Sequence, residues 1–71
     1  MRRAILEALK ARYEAEIAEA DATANIYLEN SVGIGEHPQH IDEVNKQLEK
    51  IAAAREKLEV LDQFEPEKAV L

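Results

Sequence analysis

The chain has 71 residues, no cysteine and a formal net charge of −6. A chain of this length forms one small domain at most, and without a disulfide its core is marginal unless it associates. The acidic balance disfavours nucleic acid and anionic membranes as partners. No stretch approaches the ~20 apolar residues of a membrane span, and no signal peptide follows Arg2 and Arg3. We therefore expect a soluble cytoplasmic protein.

The first half of the chain has the pattern of one long helix over about residues 2–30, a stretch without Gly or Pro. Its larger apolar residues recur at steps of three and four, which places them on one helical face. That predicted core face carries Leu6, Leu9, Tyr13, Ile17, Ala20, Ala24, Tyr27 and Leu28.

The opposite face of this helix carries an alanine stripe, formed by Ala4, Ala8, Ala11, Ala15, Ala18 and Ala22 and continued by Ile26. One interpretation is helix propensity alone, because alanine is the best helix former. The other is a second close helix–helix contact, because small side chains let two backbones approach.

Residues 31–37 break the helical pattern and predict a turn. Gly33 stands where a glycine in the left-handed conformation ends a helix, and Gly35 adds a second permissive position. Pro38 suits the first turn of a following helix.

A second helix is predicted over about residues 38–64, followed by a short tail, 65–71, beginning just before Pro66. Its predicted core stripe is Ile41, Val44, Leu48, Ile51, Leu58, Leu61 and Phe64. The steps of three and four between residues 41 and 62 form a heptad seam that Arg55 interrupts. We expect Arg55 opposite Tyr13, where it stacks on the ring, pairs with a nearby glutamate to fix register, or extends into water.

Two helices of similar length joined by a short link predict an all-α, antiparallel helical hairpin over residues 1–64. A reversal near Ile34 and Gly35 makes the numbers of facing residues add to about 68 or 69. Each apolar stripe is wider than one partner helix covers, so we expect association into a helical bundle. A homodimeric four-helix bundle is the simplest closed form.

One short segment, Glu36-His37-Pro38-Gln39-His40, holds residue types that bind metals. The two histidines straddle a proline in the predicted turn, and zinc sites usually need three or four protein ligands. We therefore expect no bound metal and no cofactor, with His37 acting as a helix-capping or turn residue. No catalytic grouping stands out, so we do not expect an enzyme.

Residues 26–64, and the hexapeptide Val32-Gly33-Ile34-Gly35-Glu36-His37 above all, resemble small uncharacterised helical proteins of marine tailed phages, of the cyanophage type. This resemblance implies a phage accessory origin and no known activity, so it transfers no functional residue. The Pro38-Gln39-His40 segment departs from the short polar helix cap expected in that group.

Three functional hypotheses follow. The first is a non-enzymatic, oligomeric interaction module whose main partner is itself, with a host or phage protein as a further partner. The second is an acidic regulator that binds a basic host protein or mimics nucleic acid. The third is a metal-binding hairpin that uses Glu36, His37 and His40.

Overall fold

The fold is an all-α helical hairpin, seen in a computed structural model that describes residues 1–29 and 37–65, without the side chains of His37 and Pro38. Helix α1 spans Arg2–Glu29 and helix α2 spans His37–Asp62. No strand occurs in these two ranges. The predicted turn residues Gly33 and Gly35 and the tail after Glu65 lie outside the described residues, whereas Pro38 belongs to the first turn of α2.

The two helices run antiparallel along most of their length. Three contacts set their register. The Tyr27 ring meets the His40 ring edge-on, with 5.6 Å between the ring centroids, and Lys57 Nζ lies 5.4 Å from the centre of the Tyr13 ring. Arg2 donates a 2.6 Å hydrogen bond to the Phe64 carbonyl. These facing pairs lie within about two residues of the predicted register. The last contact ties the open end of the hairpin together.

The seam between the helices is narrow and is built largely from small side chains. Its buried apolar residues are Ala20, Ala24, Ala54 and Leu61, and Gln47 is buried beside them. The other inward-facing apolar side chains are only half-buried; they are Leu6, Leu9, Tyr13, Ile17, Tyr27, Val44, Ile51 and Leu58. A single hairpin therefore covers only part of the apolar stripe on each helix.

Four residues predicted for the core are exposed in the hairpin: Leu28, Ile41, Leu48 and Phe64. The reason on α2 is a rotation of the helix about its axis. The seam that faces α1 passes through His40, Gln47 and Ala54, one position before each of Ile41, Leu48 and Arg55. The small Ala54 lets the backbones approach, and the larger side chains are displaced to the flank.

Arg55 follows the third of its alternatives, extension into water, and does not stack on the Tyr13 ring. It is exposed, and the side chain over the Tyr13 ring is Lys57. The rotation of α2 accounts for this, because it turns Arg55 away from α1 along with Leu48. The polar residue within the seam is instead Gln47.

Candidate interaction surface

An apolar groove lies on one side of the hairpin, next to the end where the helices are joined. Its volume is about 410 Å³, and its apolar walls come from Leu28 of α1 and Ile41, Val44 and Leu48 of α2. Tyr27, His40 and Asn45 complete the lining. Because both helices contribute, Leu28, Ile41 and Leu48 form one continuous surface.

The same surface extends along both helices. On α1, Leu28, Ile17 and Leu6 are spaced by 11 residues, which is close to three turns and keeps them on one side. On α2, Ile41 and Leu48 are spaced by seven, and the half-buried Val44 and Ile51 lie between them and the seam. We call this surface the apolar side: Leu6, Ile17, Leu28, Ile41, Val44, Leu48 and Ile51.

The other side of the hairpin is charged. A groove of about 320 Å³ lies there between Glu16 and Glu19 of α1 and Lys50 and Lys57 of α2, with alanines also in its lining. Opposite charges thus border the seam on this side. The two sides of the hairpin therefore differ in kind, and only one of them presents a broad hydrocarbon surface.

A third depression, of about 760 Å³, lies over the first turns of α2 and opens widely to solvent. Its lining is Tyr27, Gln39, His40, Asp42, Glu43, Asn45, Lys46 and Glu49. His40 packs against Tyr27 here, and Lys46 forms a 3.3 Å ion pair with Glu43. This depression borders the apolar groove through Tyr27, His40 and Asn45, and extends it with polar groups.

The predicted metal-binding turn falls mainly outside the part of the chain that the structure describes. Glu36 is not described, and neither is the side chain of His37. Within residues 1–29 and 37–65, no three His, Asp or Glu side chains are grouped as a metal site requires. His40 is the one member of the predicted set whose surroundings are visible, and its ring contacts Tyr27.

Acidic residues form two exposed rows. Glu7, Glu14 and Asp21 recur every seven residues on α1, and Asp42, Glu49 and Glu56 do so on α2. Successive members of a row are about 10.5 Å apart along the helix axis. Phosphates of a nucleic acid strand repeat about every 3.4 Å, so this spacing does not match them.

The alanine stripe on α1 is fully on the surface. Ala4, Ala8, Ala11, Ala15, Ala18 and Ala22 are all exposed in the single hairpin. This leaves both interpretations of the stripe open, because helix propensity and a second interface each require exposure in an isolated chain.

Three residues that shape the hairpin were missed by the sequence analysis: Gln47, Ala54 and Lys57. A signal for the first two exists, since His40, Val44, Gln47, Ile51, Ala54, Leu58 and Leu61 also follow heptad steps. This second seam is less apolar than the predicted one, so hydropathy alone ranks it lower. Lys57 carries no sequence signal beyond its charge.

Comparisons with known proteins add no family to this picture. No family model matches the chain, and no significant similarity to a curated protein or to a solved structure was found. In the part of the chain that the structure describes, neither helix combines the length and hydropathy needed to span a membrane.

Proposed function

We propose that this chain is a non-enzymatic helical interaction module that works as a homodimer, with the apolar side of each hairpin buried against a second copy. The observation that carries the proposal is the exposure of Leu28, Ile41 and Leu48 on one continuous surface. Large contiguous apolar patches on a protein surface often mark a site of protein–protein contact.

The surface area of the chain supports the same proposal. The accessible surface is 5713 Å², whereas a compact monomer of this mass has about 4,500 Å². The radius of gyration is 16.4 Å, against about 11 Å for a compact chain of this length. An elongated hairpin therefore leaves more surface uncovered than a compact chain does, and a standard interface takes ~800 Å² from each partner.

The composition of the seam gives a further reason. Three of its four buried apolar residues are alanines, whose burial removes little hydrocarbon from water. Full burial of a leucine or isoleucine contributes about 1.5–3 kcal/mol, and most such residues here are exposed or half-buried. Association would bury their remaining surface and supply the stability that a single hairpin lacks.

The biological setting of the proposal comes from the resemblance to cyanophage proteins: an accessory protein of a phage, acting in assembly or on a host protein in the host cytoplasm. The acidic regulator remains an alternative, but the 10.5 Å spacing of the acidic rows, from about 1.5 Å per residue, gives nucleic acid mimicry no support.

Size-exclusion chromatography with light scattering tests the proposal directly. The chain mass is 8.0 kDa, so we expect a species of twice that mass at micromolar concentration, with a helical circular dichroism spectrum. A folded, helical species that keeps the mass of one chain over this range would overturn the proposal.

A further inference from the structure

We propose that the two hairpins of the dimer pack with their joined ends at the same end, so that α2 of each chain lies on α1 of its partner. This inference rests on the proposed function, because it specifies the geometry of that self-association. The two-fold axis would run parallel to the helices. The alternative dimer has its two-fold axis across the helices and its joined ends at opposite ends.

The first argument is that the apolar side changes character along its length. Its joined end is mainly hydrocarbon, with Leu28, Ile41, Val44 and Leu48 around one groove that His40 and Asn45 border. Its open end also carries charges. Lys10 precedes Leu28 by 18 residues and Glu59 follows Ile41 by 18, and 18 residues are five helical turns. Lys10 therefore projects on the same side of α1 as Leu28, and Glu59 on the same side of α2 as Ile41.

Packing with the joined ends together places Leu28 on Ile41 of the partner subunit and charge on charge at the open end. Asp21, seven residues before Leu28, then lies at the edge of the contact, at the level of Leu48. The opposite arrangement places Ile41 and Leu48 of one chain over the charged open end of the other. Covering an ionised group with hydrocarbon is strongly unfavourable unless the group is paired. The uneven apolar side thus favours the first arrangement.

The second argument is that the open ends are complementary in charge. Lys57 lies over Tyr13, so Arg55 is within one residue of the level of Glu14 and Glu59 is within one residue of the level of Lys10. A two-fold axis parallel to the helices places α2 over the partner's α1 at the same level. Arg55 then meets Glu14 of the partner subunit, Glu59 meets Lys10 of the partner subunit, and symmetry repeats both pairs.

These charges have no ion pair within the single hairpin. Among residues 1–29 and 37–65, the ion pairs are Arg3 with Glu7 and Lys46 with Glu43. Arg55 and Glu59 on α2, and Lys10 and Glu14 on α1, are therefore available for contacts with a second copy. In this dimer no charged group faces its own copy, because each positive group faces a negative one.

Mixing two charge-reversal variants tests this geometry. In a dimer of the Arg55→Glu variant, the new glutamate faces Glu14 of the partner subunit at both symmetric contacts. In a dimer of the Glu14→Lys variant, the new lysine faces Arg55 of the partner subunit. We expect each variant alone to dimerise roughly tenfold more weakly than the natural chain. An equimolar mixture restores affinity, because in the mixed dimer both contacts are again between opposite charges. Pairing within one chain cannot produce this rescue, since mixing leaves each chain unchanged.

A matched control uses the charged side of the hairpin. The variants Lys50→Glu and Glu16→Lys change the net charge by the same amounts but lie on the side away from the proposed interface. Their mixture should show no gain over either variant alone. Equal rescue by the control pair, or no rescue by the Arg55 and Glu14 pair, would overturn the geometry.

A second measurement does not depend on charge variants. The exposed Gln39 lies near the joined end, and a spin label on Gln39→Cys reports the distance between the two joined ends. Same-end packing gives a separation of about 15–25 Å, from helix spacings of 8–10 Å. Opposite-end packing about the hairpin centre gives about 35 Å or more, at 1.5 Å per residue. A long distance in a dimer refutes the geometry alone, whereas a monomer refutes the proposed function.

Discussion

Leu48 provides the sharpest test of the apolar side. Its side chain is 55% exposed in the single hairpin, so about half of its hydrocarbon remains to be buried on association. Full burial of a leucine contributes about 1.5–3 kcal/mol, which leaves roughly 1 kcal/mol for each copy in the dimer. Leu48→Ala should therefore cost the symmetric dimer about 2 kcal/mol, or about a 30-fold increase in its dissociation constant.

The chain offers a matched control for this substitution. Ile26 is an aliphatic residue of the same size with 58% exposure, but it stands two residues from Leu28 and so projects about 200° away from it. Ile26→Ala should leave the dissociation constant unchanged within about twofold. Alanine is a strong helix former, so neither substitution should reduce helicity.

Sedimentation equilibrium over micromolar concentrations measures both dissociation constants, and circular dichroism confirms that the helices persist. Equal effects of the two substitutions would refute the assignment of the interface to the apolar side. A larger effect of Ile26→Ala would move the interface to the alanine stripe of α1, which Ile26 continues.

The remaining predictions concern the seam within the hairpin. Ala54 is 1% exposed, so Ala54→Leu should lower the free energy of unfolding in urea by about 1–3 kcal/mol through overpacking. Ala15→Leu, at an exposed position on the face of α1 away from the seam, should have little effect, and similar losses in both would contradict the seam assignment. Gln47 is 7% exposed, and Gln47→Leu should raise the free energy of unfolding by about 1 kcal/mol, because leucine adds hydrocarbon to the seam. Gln39→Leu, at an exposed position, should not, and a destabilised Gln47→Leu chain would show that the amide makes a needed polar contact. A double-mutant cycle with Tyr13→Ala and Lys57→Ala should give a coupling energy of about 0.5 kcal/mol from the cation–π contact, and additivity would show that the contact is not formed in solution.

The helical hairpin itself was predictable from the sequence. Steps of three and four, the absence of Gly and Pro from residues 2–30, and the Gly33–Pro38 segment together indicate two helices and a reversal. The all-α fold was confirmed by the structure, with helices at Arg2–Glu29 and His37–Asp62. Local patterning and steric rules suffice for this level of detail.

The face of α2 that meets α1 was not predictable in the same way. Two heptad seams lie side by side on this helix, one through Leu48 and Arg55 and one through Gln47 and Ala54. Hydropathy favours the first, but the seam within one chain selects the second, where small residues let the backbones approach. The sequence pattern identifies which residues are apolar enough to be buried. It does not say whether the helix that buries them belongs to the same chain or to another.

In the proposed dimer, the arrangement of α2 would also link folding to assembly. Val44 and Ile51 are half-buried and border both the seam with α1 and the exposed Leu48 column, so in the proposed dimer each would serve two contacts at once. Substitution of Val44 or Ile51 should weaken the hairpin and the dimer together. Substitution of Ala54 should first weaken the hairpin, whereas substitution of Leu48 should first weaken the dimer. By mass action, a fold completed by its own copy becomes more heat-resistant as its concentration rises. The protein would therefore be most robust where it accumulates and most exposed to proteolysis where it is scarce.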